Sequence, residues 1–126
     1  MDRKIIYVGL FLDNQLDGCL SKKTVNQHVT LAFRPQEGFL QEDLLGKPFQ
    51  VRLVGYACDL NNEGYRVEIP GELKSNQQVP LHITVSTSDS GKPVNTGYLK
   101  FQPIGAQTRT VSARYGYFDG SQVRFA

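Results

Sequence analysis

Apolar and polar positions along this chain fall mostly into short runs with a period of two, the signature of β-strands rather than long helices. Lys4 to Leu12 is rich in β-branched and aromatic residues and predicts a buried first strand. Asp13 to Asn26 is polar, holds Gly18, and predicts a loop with at most one helical turn. His28 to Arg34 predicts the next strand. Phe39, Leu40, Leu44 and Leu45 recur at near-helical spacing within Gly38 to Leu45, so a short helix is expected there, stopped by Gly46 and Pro48. Phe49 to Asp59 and Gly64 to Ile69 predict a hairpin that turns at Leu60-Asn61-Asn62-Glu63. A loop over Pro70 to Gln78 leads to a strand over Leu81 to Thr87. Ser88 to Pro93 is a turn, and Val94 to Lys100 predicts a helical turn. A last hairpin, Gln107 to Phe118 with Gln122 to Phe125, bends at Asp119-Gly120.

The two halves of this pattern share an order of parts: strand, turn or short helix, long strand, hairpin. The first half covers roughly 27–70 and the second 80–126, and each long strand carries a Gly-Tyr pair, Gly55-Tyr56 and Gly116-Tyr117. A pseudo-repeat inside one domain spanning 1–126 is the expectation. With 126 residues the chain is long enough to bury a core without disulfides or a metal.

Composition narrows the function classes. Hydrophobic residues make up 40% and charged residues 21%, the balance of a globular protein, and no run of apolar residues is long enough to span a membrane. The formal net charge of +2 suits a phosphate-bearing ligand but is far below that of a protein that coats nucleic acid. The apolar stretch behind Arg3 and Lys4 runs into Asp13-Asn14-Gln15 rather than a small-residue cleavage site, so it reads as a strand of a cytoplasmic protein, not a signal peptide. Cys19 and Cys58 stand apart with no CxxC spacing, so no zinc site is expected; two free thiols are preferred over one disulfide. No Gly-x-Ser-x-Gly, phosphate-cradling Gly-Lys-Ser/Thr loop or paired-carboxylate arrangement is present.

The chemistry concentrates in the only two histidines. They head the tetrapeptides His28-Val29-Thr30-Leu31 and His82-Ile83-Thr84-Val85, each His, β-branched, Thr, aliphatic. With seven threonines in 126 residues, both histidines preceding Thr by two places is a coincidence of roughly three in a thousand. In a strand, positions i and i+2 share a face. His28 and Thr30 therefore face one side and Val29, Leu31 and Phe33 the core. His82, Thr84 and Ser86 likewise share a face opposite Ile83 and Val85. Two imidazoles and two hydroxyls in one cleft suit a phosphodiester. A neutral imidazole takes a proton from the nucleophile, a protonated one supplies the leaving oxygen, and the hydroxyls bind the non-bridging oxygens.

Paired His-h-Thr-h motifs (h apolar), one in each half of a small domain, resemble those of the two-histidine (2H) phosphoesterases. His28-Val-Thr-Leu-Ala-Phe and His82-Ile-Thr-Val-Ser-Thr look like the two motifs of that superfamily, and Gly91-Lys-Pro-Val-Asn looks most like its small tRNA-ligase-type cyclic phosphodiesterase members. The resemblance implies an α+β fold, mostly antiparallel β, with two pseudo-symmetric sheet lobes and short helices flanking a central cleft. It implies hydrolysis, without metal or other cofactor, of 2′,3′-cyclic phosphate ends or of related cyclic or 2′-5′ linked nucleotides. His28 and His82 would be catalytic, and Thr30, Thr84, Ser86, Lys92 and Tyr7 would bind substrate. The alternative is a non-catalytic module that binds a nucleotide or RNA end in the same cleft. The chain is shorter than many members, so a homodimer or partner chain is expected to shield one sheet face.

Overall fold

The computed structural model describes residues 3–24 and 26–126. It contains β1 (Tyr7–Leu12), β2 (Lys22–Lys23), β3 (His28–Phe33), β4 (Pro48–Cys58), β5 (Asn62–Glu68), β6 (His82–Thr87), β7 (Gln102–Pro103), β8 (Arg109–Phe118) and β9 (Val123–Arg124). Three 3-10 turns punctuate them: η1 (Glu42–Leu44), η2 (Pro93–Tyr98) and η3 (Gly105–Gln107).

The strands run β4-β5-β6-β3-β1-β8, all antiparallel, and β8 pairs back onto β4. Six strands thus close a barrel. The expected α+β fold of two sheet lobes with flanking helices is overturned by this closure: the chain is all-β, with about 9% helix. The reason lies in the two long strands. β4 and β8 pair continuously from Pro48↔Arg114 to Leu53↔Arg109, and that ladder joins the two halves that separate lobes would have held apart. The expected helix over Gly38–Leu45 shrinks to the single turn η1, whose residues leave none of their side chains fully buried. Two short strands were unforeseen: β2, which pairs with β6 inside the expected 13–26 loop, and β7, which pairs with β4. Among the described residues no helix is long and apolar enough to cross a membrane.

The barrel interior holds the core. Val8, Leu10, Val29, Leu31, Val51, Leu53, Ile83, Val85, Ala113 and Tyr115 are fully buried there, two from each of β1, β3, β4, β6 and β8. Burying such side chains stabilises the fold by roughly 1.5–3 kcal/mol each.

In chain order the halves run β3, η1, β4, β5 and then β6, η2, β7, η3, β8, β9. β3 meets β6 at Val29↔Ile83, the central residues of the two motifs, and β4 meets β8 at Val51↔Val111. β5 completes one side and β1, from the start of the chain, the other.

Candidate functional site

The single Val29↔Ile83 bridge sets the site. One step either way along antiparallel strands, His28 stands across from Thr84 and Thr30 across from His82. The two imidazoles are diagonal neighbours on this face, within reach of one small ligand. All four side chains line one groove of about 590 Å³ on the outer wall of the barrel. The groove is also lined by Asn76, Gln77, Gln78 and Val79 of the loop before β6 and by Pro93, Val94 and Tyr98 of η2.

Both imidazoles are held the same way. The Nδ1 of His28 lies 2.8 Å from the carbonyl oxygen of Asn26, and the Nδ1 of His82 lies 2.8 Å from that of Pro80. A carbonyl only accepts, so each Nδ1 carries the hydrogen and each Nε2 is the basic nitrogen of the neutral ring. Asn26 adopts a left-handed φ of 55° to present its carbonyl, a conformation asparagine tolerates. Burial pushes both imidazoles below their usual pKa, only partly offset by these carbonyls, and His82 pushes His28 down further. Near neutral pH both are therefore uncharged.

The two motifs also share a bulge. Gly9 pairs with Thr30 and Val8 with Ala32, so Leu31 is the extra residue of β3. Gly64 pairs with Thr84 and Glu63 with Ser86, so Val85 is the extra residue of β6. In each case the fourth residue of the motif is bulged, and a glycine stands opposite the threonine. A Cβ on Gly9 would lie 2.6 Å from the Val29 carbonyl oxygen, and one on Gly64 would lie 2.5 Å from that of Ile83. Only glycine admits so close a backbone approach.

These bulges reset the alternation of faces, and two expectations fail for that reason. Phe33, expected in the core, pairs with Tyr7, lines the groove and is 56% exposed. Ser86, expected beside His82 and Thr84, is fully buried and does not line the groove. Its hydroxyl donates to the Glu63 carboxylate at 2.6 Å and accepts from the Leu20 N–H at 3.2 Å. Lys92, also expected in the site, is exposed at the start of η2 and contributes its backbone carbonyl to the Asn62 amide rather than a side chain to the groove.

Tyr7 does line the groove, but its ring stacks on His28, with centroids 4.6 Å apart and planes 22° apart. Burial pushes its hydroxyl up to about 12, so it stays a neutral phenol. Tyr7 thus fixes the imidazole. The exposed aromatic faces are those of Phe33 and Tyr98, the latter 74% exposed. The Arg34 guanidinium lies 5.4 Å from the Phe33 ring centroid.

The two threonines differ. Thr30 hydroxyl lies 3.1 Å from the basic Nε2 of His28 and donates to it. Thr84 is nearly buried; its hydroxyl donates to the Pro93 carbonyl at 3.0 Å and shares a hydrogen bond with the buried Thr96 hydroxyl at 2.8 Å. Asn62 in turn donates to Thr96 at 3.0 Å. This chain of bonds ties η2 to β6 and holds it over His82. Gly97 makes room there: a Cβ would come within 2.8 Å of the His82 ring.

No Lys, Arg, Asp or Glu side chain lines the groove among the described residues, so the imidazoles are the lining groups able to take up a positive charge. Among the described residues no group of three His, Cys, Asp or Glu side chains is placed to hold a metal ion. Neither a family model nor a curated protein matches this chain.

Proposed function

Equivalent imidazoles, each presenting a basic Nε2 to one groove, are the premise: we propose that this chain is a phosphodiesterase that uses His28 and His82 as an acid–base pair. The observation that carries the reading is the matched Nδ1–carbonyl hydrogen bond, which fixes the same tautomer in both rings. The expected metal-independent mechanism follows from what the pair supplies. Binding an anionic phosphodiester into a groove with no other cation favours protonation of one imidazole. His28, whose Nε2 already accepts a hydrogen bond from the Thr30 hydroxyl, is the neutral ring and the base. His82 carries the proton and is the acid. Water attacks phosphorus, His28 Nε2 takes the water proton, and His82 Nε2–H gives its proton to the leaving oxygen. Thr30, freed from His28 Nε2 as that nitrogen takes the proton, hydrogen-bonds a non-bridging oxygen where charge gathers.

The substrate class we propose is a small nucleotide carrying a 2′,3′-cyclic phosphate, or a related cyclic or 2′-5′ linked oligonucleotide. Two features support a nucleotide. Phe33 and Tyr98 offer exposed aromatic faces on which a base stacks. The side-chain amides of Asn76, Gln77 and Gln78, which also line the groove, suit the hydrogen-bonding edge of a base.

A second reading, a nucleotide- or RNA-end-binding module without turnover, is favoured by one observation. The Thr84 hydroxyl is committed to Pro93 and Thr96, which leaves a single threonine to meet the phosphoryl group.

The test is incubation of the protein with EDTA and the four 2′,3′-cyclic mononucleotides, a 2′-5′ oligoadenylate and cyclic di- and trinucleotides, products being separated by chromatography. Turnover that survives EDTA and is lost in the His28→Ala, His82→Ala double variant supports the enzyme. A nucleotide-dependent rise in melting temperature without turnover supports the binding module. Neither signal overturns both.

A further inference from the structure

The two cysteines, far apart in sequence, come together at the end of β4, and neither lines the histidine groove. Their sulfur atoms lie 3.7 Å apart, and both residues are exposed free thiols. A bonded pair sits about 2.05 Å apart, so a small rotation of either side chain closes the gap. The main chain is already in place for it. Cys58 ends β4 and pairs with Glu63 across the hairpin. The Cys19 N–H donates to that same Glu63 carboxylate at 2.9 Å. Its neighbours are docked too: Leu20 N–H reaches Ser86, and a Cβ on Gly18 would come within 2.6 Å of the Ser86 side chain. Three consecutive residues, 18–20, therefore sit tightly on Ser86 and Glu63, and Cys19 is presented to Cys58 by its backbone. The Tyr56 hydroxyl donates to the other oxygen of Glu63, so the anchoring carboxylate is itself held from two sides.

We propose that Cys19 and Cys58 form a reversible intramolecular disulfide by exchange with a low-molecular-weight disulfide, clamping the loop between β1 and β2 onto the β4–β5 hairpin and the end of β6. The Cys19 thiolate attacks the small disulfide, forming a mixed disulfide and releasing one small thiol. The Cys58 thiol then loses its proton to solvent and attacks the Cys19 sulfur, releasing the second small thiol. Two protein thiols are oxidised and one small disulfide is reduced to two thiols. Burial and the neighbouring Cys19 push the Cys58 thiol up, which fits Cys58 as the second, resolving partner. The clamp acts on the strand that carries His82 and Thr84, because Ser86 links the docked loop to β6. It does not depend on the reading of the groove as catalytic.

The experiment is a redox titration of the full chain with reduced and oxidised glutathione. Intact mass after alkylation and melting temperature are read at each ratio. The expected oxidised product is a monomer that has lost two hydrogen atoms and holds no glutathione. Its melting temperature should be higher by about 5–15 °C, since closing a loop of this length constrains the unfolded chain. Cys19→Ser and Cys58→Ser, both at exposed positions, should each fold, retain one glutathione and show no such rise. A wild-type protein that ends as a stable glutathione adduct, as a disulfide-linked dimer or as unchanged thiols would overturn the proposal. So would an internal disulfide without the melting shift.

Discussion

The His28 and His82 halves of the groove are built to one local plan and finished differently. In both, the histidine Nδ1 binds the carbonyl two residues earlier, the threonine faces a glycine, and the strand bulges at the fourth motif residue. Beyond the bulge they diverge. Ala32 faces Val8 on the first side, an apolar pair in the core. Ser86 faces Glu63 on the second, a buried polar pair. His28 is held by the Tyr7 ring, whereas His82 lies under η2 beside Gly97. Shared parts fix the tautomers; unshared parts set each ring's surroundings. A shared backbone plan is what an acid–base pair needs, and unlike surroundings are what let the two rings take different roles.

The largest expected effect tests whether the halves are two parts of one reaction. His28→Ala and His82→Ala should each lower kcat by about 10²- to 10⁴-fold. The two limbs of the pH profile should fail separately. Loss of the base removes the acidic limb, and loss of the acid removes the alkaline limb. Full activity in either variant would sink the acid–base assignment.

Next is the matched glycine pair. Gly9→Ala and Gly64→Ala each force a Cβ against a carbonyl oxygen, and each should cost about 1–3 kcal/mol of stability, read by urea unfolding. Similar losses in both would support the shared plan; a loss in only one would break it.

The threonines should separate function from stability. Thr84→Val strips the Pro93 carbonyl and the Thr96 hydroxyl of a buried partner and should cost about 1–3 kcal/mol. Thr30→Val, which removes a hydroxyl facing the groove, should leave stability within about 1 kcal/mol while lowering kcat by about tenfold or more. Measured together, unfolding and turnover would show which threonine belongs to the scaffold.

The smallest effect is in the pH dependence of stability. Both histidines have a folded pKa below the unfolded value near 6.5. The unfolded chain therefore binds protons first, and stability should fall as pH drops below about 6.5, levelling off below the folded values. His28→Gln should flatten part of that slope, His82→Gln another part, and a slope unchanged in the double variant would place its origin elsewhere. Glu63 adds a lower window. Burial alone would raise its pKa, but hydrogen bonds from Ser86, Tyr56 and Cys19 outweigh it, so its contribution is present above the usual carboxylate range and lost at more acid pH.

Much of the site was legible in the strand period. Two histidines with threonine two places on, inside β-type runs, place both pairs on one face of each strand, and Tyr7, His28, Thr30, His82 and Thr84 do line one groove. Phe33 and Ser86 were misplaced because a bulge is a property of the pairing between strands, and the period of a single strand carries no sign of it. Gly9, alone in an apolar run, was a signal of close backbone approach that the strand reading passed over. The other lining residues, Asn76 to Val79 and Tyr98, lie in segments without strand periodicity, so nothing local marked them.

The sequence by itself determined the long strands, the matched histidine tetrapeptides, the hairpins and the faces on which His28, Thr30, His82 and Thr84 lie. These follow from side-chain alternation and turn chemistry, which act over a few residues. Only the tertiary structure decided that β8 returns to β4 to close one barrel instead of two lobes, that β3 and β6 are neighbours, that Thr84 is committed to η2, and that Cys19 meets Cys58. Those outcomes depend on pairings across tens of residues, whose free energy comes from burying both partners at once and is carried by neither segment alone.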